Sequence, residues 1–262
     1  LSTSKLTTPC ITTSLNFPKE DYPSKFGFFR GRYMAFLHTR YLSSCSNLVS
    51  CSEYIYRSLD SIGIKSRVIQ NGTVLSVLTH APRMLEQPLK LISVGSLIPR
   101  KNMNFILELS DLLNRENISH TLTILGDGPL RQELEARANS SVDFLGNVVE
   151  VREHLSQSDI FVSASYSEGL PNTVLEAISE GLSLLLSDIP PHIEITKKME
   201  DSHYIHFPVN CTASSVFESI LHEIDSITPA REEIKKCQVE NFSDSSMSIK
   251  YQSLYKELYN GK

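Results

Sequence analysis

Long apolar runs and paired cysteines are both missing from the sequence, and each absence argues against a class of protein. The apolar blocks are short, as in Leu182–Leu186, and none approaches the roughly 20 residues of a membrane-spanning helix. The cysteines are odd in number and form no C-x-x-C pair, which argues against a disulfide framework and against a zinc site. We therefore expect a cytoplasmic protein without a bound metal. Its reduced thiols would be Cys10, Cys45, Cys51, Cys211 and Cys237.

An excess of positive charge is also lacking. The formal net charge of −5 gives the chain no general attraction for nucleic acid, so we expect no nucleic-acid partner. The 262 residues, 40% hydrophobic and 21% charged, have the composition of a soluble protein of one or two domains. Leu1–Pro9 is polar and does not resemble a signal peptide. Because the chain starts with Leu1 instead of Met, we expect either a fragment or an unusual start codon.

The signatures of several enzyme classes are absent too. There is no G-x-S-x-G motif and no Ser/His/Asp or Cys/His nucleophile pattern. The glycine-rich turn Gly126-Asp127-Gly128-Pro129 lacks the G-x-G-x-x-G spacing of a dinucleotide site, which argues against a nicotinamide or flavin dehydrogenase. For His192 and Glu194, at the head of a predicted helix, we expect a structural role.

What the sequence does contain is a regular alternation of strands and helices from residue 89 onward. Apolar runs predict strands such as Leu89–Val94, Thr121–Leu125 and Ile160–Ala164, and amphipathic segments such as Met103–Leu113 predict the helices between them. Near-continuous apolar strands are typical of a parallel sheet covered on both faces. We therefore predict an α/β protein with one complete Rossmann-like domain, whose ligand lies at the carboxyl-end loops.

Residues 1–72 also alternate helix and strand, but they contain too few strands for a complete sheet and predict a partial N-terminal Rossmann-like domain. Residues 73–88 lack periodicity and predict a linker to the second domain, 89–245. Residues 16–27, with two prolines, predict a loop. The basic and aromatic residues of Arg30–Tyr41 have the spacing of an amphipathic helix, and they would also suit an anion patch or an anionic membrane surface.

The most distinctive segment of the chain is residues 165–181. Its two glutamates, Glu168 and Glu176, lie on either side of the turn Gly169-Leu170-Pro171-Asn172-Thr173. Pro171 suits the first position of a helix, whose N-terminus would offer free N–H groups and the positive end of its dipole to an anion. The pattern predicts a phosphate site between two carboxylates that bind hydroxyl groups. Solvent-facing surface charges are the alternative interpretation.

Two further loops follow predicted strands. Gly95–Asn102 combines a glycine, which lets the backbone approach a ligand, with Arg100 and Lys101, which supply the cations that a diphosphate needs. A solvated charge pair ahead of a helix is the alternative interpretation. The exposed backbone of Leu145–Val148 could contact the edge of a base, but this signal alone is not specific.

Five motifs stand in register across residues 89–196. They are V-G-S-L-I-P-R-K-N, I-L-G-D-G-P-L-R, F-L-G-N-V, S-D-I-F-V-S-A-S-Y-S-E-G-L-P-N-T-V-L-E-A and S-D-I-P-P-H-I-E-I. Together they resemble the donor-binding half of the retaining GT-B glycosyltransferases of glycosyltransferase family 4. Upstream, L-V-S-C-S-E-Y and V-I-Q-N-G-T are similar to the end of that family's N-terminal domain. The resemblance implies a GT-B-like fold in which residues 89–245 bind the donor, 1–72 form the acceptor side, and 246–262 return to the N-terminal domain.

The resemblance also implies a role for individual residues. Lys101 would hold the donor diphosphate, Glu168 would bind hydroxyl groups of the donor sugar, and Glu176 those of the ribose. Catalytic roles would fall to Glu168 and Lys101, with the loop around Gly146 and Asn147 against the base. The implied donor-binding set is Gly95, Ser96, Arg100, Lys101, Gly146, Asn147, Glu168, Gly169, Leu170, Asn172, Thr173 and Glu176. No metal and no cofactor are implied, because lysine, arginine and the helix dipole would neutralise the leaving diphosphate.

The implied reaction is the transfer of a hexose, with retention, from a UDP- or GDP-sugar to a glycan or lipid-linked acceptor. Surface polysaccharide or lipopolysaccharide synthesis on the cytoplasmic face of the cell membrane, with a peripheral membrane contact, is the implied setting. The chain departs from the family at Ser96, where an arginine is common, and in lacking the opening strands of the N-terminal domain. A truncated, non-catalytic nucleotide-sugar-binding protein and a GT-B epimerase therefore stay open as alternatives.

Overall fold

The structure is a computed structural model that describes residues 10–75, 88–227 and 230–260. It divides into two compact units, the first formed by the described residues up to Gly72 and from Phe242 onward, and the second by those between Thr73 and Asn241. Most of the predicted linker, residues 76–87, lies outside the described residues.

Three short strands and three helices make up the N-terminal part of the first unit. The strands pair in parallel, in the order in which they occur in the chain. Ser52 caps the third helix, because its Oγ accepts a hydrogen bond from Ile55 N at 3.1 Å. The elements are β1 Thr12–Ser14, α1 Pro18–Phe26, α2 Phe28–Ser43, β2 Leu48–Ser50, α3 Glu53–Asp60 and β3 Arg67–Val68.

The loop predicted at residues 16–27 is wrong, because most of this segment is helix α1. Pro18 lies in the first turn, where a missing N–H leaves no hydrogen bond unmade. Pro23 lies inside the helix, and a Cβ on Gly31 of α2 would lie only 2.4 Å from its Cα. Close packing of α1 on α2 therefore overrides the local signal of the two prolines.

The second unit contains a six-stranded sheet and the helices that cover it. All six strands are parallel, in the order β6-β5-β4-β7-β8-β9. The predicted α/β architecture with a Rossmann-like parallel sheet is confirmed. The elements are β4 Leu89–Val94, α4 Met103–Arg115, β5 His120–Leu125, α5 Arg131–Arg137, β6 Val142–Gly146, α6 Val151–Ser156, β7 Ile160–Ser163, α7 Asn172–Ser179, β8 Ser183–Ser187, α8 Pro190–Thr196, β9 Tyr204–Phe207, α9 Ala213–Ser226 and α10 Arg231–Asn241.

Apolar side chains from both faces of this sheet form the core of the second unit. Strand β8 is buried along its whole length. Helix α4 packs its apolar stripe on the sheet, and the ring of Phe105 stacks on that of Phe207, with the centroids 4.2 Å apart. Since each buried apolar side chain stabilises the fold by about 1.5–3 kcal/mol, the strands form a rigid base for the loops at their carboxyl ends.

The last helix, α11 Asp244–Asn260, belongs to the first unit. Leu254 is buried against Val49 of β2 and Ile69. Tyr251 Oη lies 3.0 Å from Thr13 Oγ1 of β1, so the helix packs on the three-stranded sheet.

The boundary between the units precedes residue 242, a few residues before the predicted boundary at 245. In the described ranges no helix has both the length and the apolar character needed to cross a bilayer.

We expect Gly126→Ala to destabilise the second unit. Gly126 follows β5 with φ 133°, and an added Cβ would lie 2.0 Å from Gly95 O. We predict a loss of about 3 kcal/mol in the free energy of unfolding, because a backbone carbonyl of the neighbouring strand end would have to move. Urea denaturation followed by circular dichroism measures this loss.

Gly63→Ala is the matched control. Gly63 also has a positive φ, 79°, but an added Cβ would meet no atom of the described residues within 4 Å. The substitution there is opposed only by the preference of alanine for negative φ, which lowers the free energy of unfolding by about 1 kcal/mol. Equal losses in the two variants would contradict the clash with Gly95 O.

Candidate functional site

The sheet of the second unit has a topological switch point between β4 and β7. From β4 the chain builds outward through β5 and β6, and it then returns to place β7 on the other side of β4. In doubly wound sheets a ligand crevice forms at the carboxyl ends of the strands at such a point. The two loops at this crevice are residues 95–102 after β4 and 164–171 after β7.

The loop after β4 brings two cations to the crevice. Pro99–Lys101 forms a 3-10 turn, and Asn102 then adopts a left-handed conformation with φ 48° before α4 begins. The Lys101 side chain runs across Gly95, where an added Cβ would lie 3.2 Å from Lys101 Cε. Glycine at this position therefore leaves room for the lysine side chain. Ser96, the position where the family commonly has arginine, is exposed.

A buried carboxylate, Glu168, joins the two loops. Lys101 Nζ lies 2.7 Å from Glu168 Oε1, and Arg100 Nη1 lies 2.9 Å from Glu168 Oε2. The exposed fractions of the Lys101, Arg100 and Glu168 side chains are 14%, 12% and 8%. Arg100 also donates to Ser167 O, and its carbonyl accepts a hydrogen bond from Tyr166 N at 2.9 Å. The solvated charge pair considered for Arg100 and Lys101 is thus wrong.

The two cations determine the ionisation of Glu168. Burial alone would raise the pKa of this carboxyl. The charges of Lys101 and Arg100, together with hydrogen bonds from Lys101 and Ser165, outweigh burial and lower the pKa to about 2. Glu168 is therefore ionised at neutral pH, and two cations around one carboxylate leave the cluster with one net positive charge.

A buried hydrogen-bond network supports the loop that carries Glu168. Ser187 Oγ donates to Ser165 O at 2.7 Å, and His192 Nδ1 lies 2.8 Å from Ser187 O. His192 is fully buried, and burial lowers the pKa of its imidazole to about 4. The ring is therefore neutral at pH 7 and donates from Nδ1 to the carbonyl. This position fits the structural role expected for His192.

The turn between the two glutamates leads directly into helix α7. The helix begins at Asn172, so Pro171 is its N-cap residue and not its first helical residue as predicted. Gly169 and Leu170 are buried, whereas Asn172 is exposed and Thr173 is half-buried. Helix α7 begins directly after the loop of Glu168 in the chain, and Val174 N donates to Pro171 O at 3.1 Å in its first turn.

The second glutamate, Glu176, lies on α7 and is half-buried. Burial raises the pKa of its carboxyl, and the charge of Arg152 partly offsets this effect. Arg152 lies on α6, which packs against α7, and its Nη1 is 4.0 Å from Glu180 Oε1. No sequence motif marks Arg152, because only the packing of the two helices brings it near Glu176.

Glycines end the neighbouring strands β4, β5 and β6. Gly126 N donates to Gly146 O at 2.7 Å, which ties the ends of β5 and β6 together. Gly146 has φ 69°, and an added Cβ would lie 2.8 Å from Arg131 Nη1. Asn147 is exposed. The loop predicted to contact the base thus lies at the carboxyl edge of the sheet, two strands away from β4.

The predicted donor-binding residues all lie at this carboxyl edge or on the helix that starts there. Glu168 is in direct contact with both Arg100 and Lys101. Their roles toward a ligand stay predictions. The loop after β4 contains Gly95, Ser96, Arg100 and Lys101, and the end of β6 contains Gly146 and Asn147. The loop after β7 and helix α7 contain Glu168, Gly169, Leu170, Asn172, Thr173 and Glu176.

A possible metal-binding group within the described residues lies elsewhere in the second unit. Ligand atoms of Glu200, His203 and Glu233 all lie within 4.8 Å of one another, with His203 Nε2 at 3.5 Å from Glu233 Oε2. Glu200 and His203 precede β9, at the amino edge of the sheet and opposite the carboxyl-end loops. This group is therefore separate from the crevice, and a metal-free reaction stays a prediction.

Comparison with known proteins relates most of the second unit to the glycosyl transferases. The family model described as glycosyl transferases group 1 matches residues 88–222, just over half of the chain. Over 105 residues the chain is 37% identical to the glycosyltransferase EpsF of Bacillus subtilis, a match that covers 38% of this chain and 26% of that protein.

A second relative is the UDP-Gal:alpha-D-GlcNAc-diphosphoundecaprenol alpha-1,3-galactosyltransferase of Escherichia coli. It is 28% identical over 142 residues, which are 51% of this chain and 32% of that protein. The chain therefore spans less than a third of the length of these two relatives.

Among solved structures, the pneumococcal O-GlcNAc transferase GtfA in complex with UDP and GlcNAc matches with a TM-score of 0.74. The match covers 95% of this chain and 52% of that one at 16% sequence identity. At this identity the likeness shows the fold alone, which is the GT-B-like α/β fold expected from the sequence.

The ion cluster predicts a pH-dependent stability. Because the pKa of Glu168 is lowered to about 2 from an ordinary value of 4.5, its ionisation stabilises the fold at neutral pH, and this contribution is lost as the pH falls from about 4.5 through about 2. We expect Glu168→Gln to lower the free energy of unfolding by about 3 kcal/mol at neutral pH, since two buried cations lose their anion. Urea denaturation at decreasing pH should show the difference from wild type shrinking.

Glu135→Gln is the control for the loss of a surface carboxylate. Glu135 Oε1 lies 2.7 Å from Arg131 Nε, but both side chains of this pair are well exposed. We expect no measurable change, because water screens such pairs. If Glu168→Gln were as stable as wild type at neutral pH, the proposed stabilising role of the cluster would be wrong.

Proposed function

We propose that this chain, which belongs to the glycosyl transferases of group 1, binds a nucleotide-diphosphate sugar at the carboxyl edge of its six-stranded sheet. We further propose that it acts as a retaining glycosyltransferase of family 4 type and transfers the sugar to an acceptor hydroxyl. The observation that carries the proposal is the buried cluster of Lys101, Arg100 and Glu168 at the switch point of the sheet. Its net positive charge suits a diphosphate, and its carboxylate suits the hydroxyl groups of a sugar.

The two cations have the task of neutralising the diphosphate. Lys101 reaches over Gly95 into the crevice, and Arg100 is fixed by its bonds to Ser167 O and Glu168. Because the protein already holds both cations in place, little reorganisation is needed when negative charge develops on the leaving group. The buried position of Arg100 supports the idea that it supplies the second cation, whereas Ser96 has none to offer.

The carboxylates have the task of recognising the two sugars of the donor. Glu168, which is ionised and acceptor-only at neutral pH, accepts hydrogen bonds from hydroxyl groups of the transferred sugar. Glu176, further along α7, binds the ribose hydroxyl groups. Backbone amides at the start of α7 contact the sugar and phosphate, and the loop at Gly146 and Asn147 contacts the base.

The reaction breaks the bond between the anomeric carbon of the donor sugar and the diphosphate oxygen. A bond forms from the acceptor oxygen to the same face of that carbon, which retains the configuration. The proton of the acceptor hydroxyl passes to the departing diphosphate oxygen. Lys101, Arg100 and the N-terminus of α7 stabilise the charge on the diphosphate, so this scheme requires neither a metal nor a cofactor.

The acceptor in this proposal is a glycan or a lipid-linked sugar, and the setting is surface polysaccharide synthesis at the cytoplasmic face of a membrane. The name of the Escherichia coli relative, which specifies a UDP-linked donor and a diphosphoundecaprenol-linked acceptor, supports the lipid-linked acceptor. The UDP in the complex of the pneumococcal neighbour supports a uridine nucleotide, with GDP-sugars as the other class to test.

Isothermal titration with UDP-sugars and GDP-sugars tests donor binding. We expect one of the two classes to bind and Glu176→Ala to weaken that binding by about 10- to 100-fold, because a charged acceptor contributes about 1.5–3 kcal/mol to its hydrogen bonds. Glu153→Ala, on the exposed side of neighbouring α6, is the control and should bind as wild type does. If Glu176→Ala left nucleotide binding unchanged, the ribose role would be wrong.

A transfer assay with product analysis tests the reaction itself. We expect Lys101→Ala to lower kcat/KM by about 100-fold or more, because a cation aimed at the leaving group is lost. Lys197→Ala, an exposed lysine at the end of α8, should leave kcat/KM unchanged. Nuclear magnetic resonance of the product should show the anomeric configuration of the donor. An inverted product would refute the retaining mechanism, and donor binding without transfer would favour the non-catalytic alternative.

A further inference from the structure

A surface of the first unit combines exposed aromatic side chains with arginines. Helix α2 carries pairs of aromatic, apolar or basic residues at positions 28–29, 32–33, 36–37 and 40–41. This four-residue spacing keeps the pairs on one broad face of the helix, while Gly31, Ala35 and Leu42 are buried on the other. We call this face the α2 surface. Its apolar members are Phe28, Phe29, Tyr33, Phe36, Leu37 and Tyr41, and its basic members are Arg32 and Arg40.

The apolar members of the α2 surface are unusually exposed for such large side chains. Their exposed fractions range from 45% for Tyr41 to 86% for Phe29. A contiguous set of this kind marks an interaction surface, because a protein otherwise gains stability by burying these groups. The α2 surface therefore needs a partner that removes aromatic rings from water.

The charge around the α2 surface restricts the chemistry of that partner. Between Tyr22 and Ser52 there is no aspartate or glutamate, although the whole chain has a net charge of −5. The same segment contains Arg30, Arg32 and Arg40, and also Lys25, which already pairs with Asp21 of α1 at 2.9 Å. A partner that covers the aromatic rings must therefore also supply negative charge.

The arginines of this segment are held next to aromatic rings. The guanidinium of Arg30 lies 5.6 Å from the ring centroid of Phe26, and that of Arg32 lies 5.1 Å from the ring centroid of Phe28. Each of these two guanidinium groups thus lies next to an exposed aromatic ring. Because cations and aromatic rings lie side by side on this surface, a partner that covers it must present anions and hydrocarbon side by side.

We propose that the α2 surface binds the anionic surface of a lipid bilayer, with α2 lying in the plane of the interface. Lipid phosphates would meet Arg32 and Arg40, and the aromatic rings would enter the boundary between head groups and acyl chains. A second copy of this chain fits less well, because a two-fold contact would bring arginines of like charge together. The proposal deepens the proposed function, since it places a transferase beside a lipid-linked acceptor, but vesicle binding itself requires no sugar transfer.

Co-sedimentation of the full chain with lipid vesicles tests the proposal. We expect binding to vesicles of phosphatidylcholine that contain phosphatidylglycerol and none to phosphatidylcholine alone. Binding should weaken at high salt, because the Debye length falls from about 10 Å at 0.1 M to about 3 Å at 1 M. Binding that is equal for both vesicle types, or absent for both, would overturn the proposal.

Paired substitutions separate the contributions of charge and of aromatic rings. Arg32→Gln with Arg40→Gln should weaken vesicle binding by about 25-fold, since each cation near an anionic leaflet contributes about 5-fold. Phe29→Ser with Phe36→Ser should weaken it by at least about 10-fold. The control is Tyr255→Ser with Tyr259→Ser on α11, whose exposed fractions are 57% and 79% in the same unit, and which should bind as wild type does. If the control weakened binding as much as the α2 variants, the α2 surface would not be the contact.

Two further measurements distinguish other outcomes. Sedimentation velocity without vesicles detects self-association. If Phe29→Ser abolished a dimer and no vesicle binding were found, the surface would belong to a second copy and the proposal would fail. Nucleotide titration of the same variants should give the affinity of wild type, so loss of vesicle binding alone supports the proposal independently of donor binding.

Discussion

The candidate site depends on the ion pairs that the buried carboxylate of Glu168 forms with Lys101 and Arg100. Two cations from the loop after β4 are largely removed from water, and such charges are stable only beside an anion. Glu168 supplies that anion from the loop after β7, so one contact both fixes the two loops and neutralises part of their charge. The same contact leaves one positive charge and several hydrogen-bond acceptors at the switch point of the sheet. Structural stability and suitability for a diphosphate sugar therefore have the same physical origin.

The rest of the second unit holds this cluster in place. Buried strands and helix α4 form the rigid base, and a glycine at the end of each of β4, β5 and β6 lets the loops approach one another closely. The loop of Glu168 is also held by hydrogen bonds from Ser187 to Ser165 O and from neutral His192 to Ser187 O. The first unit contributes a different kind of surface, in which the face of α2 combines aromatic rings with arginine. The two units thus present two different surfaces, a buried ion cluster at the sheet edge of the second unit and an exposed aromatic and basic face of α2 in the first.

Local sequence patterns predicted the second unit well and the first unit less well. In the second unit apolar strands and amphipathic helices alternate clearly, and the structure confirms the parallel α/β sheet. In the first unit Pro18 and Pro23 indicated a loop, but the close approach of Gly31 stabilises a helix there. The start of α7 differs by one residue from the prediction. Arg152 was missed because its importance depends on a helix neighbour and not on a motif.

The sequence by itself determined the elements of the sheet, the glycines that end its strands, and the charged residues in the loops that follow. It also determined the four-residue repeat on α2, because side-chain periodicity is a local property. Only the tertiary structure decided that β7 pairs with β4, which brings Lys101 and Glu168 together from positions 67 residues apart. It likewise decided that Arg100 is buried instead of solvated and that Arg152 lies near Glu176. These results depend on strand order and helix packing, which arise from long-range contacts that no local pattern encodes.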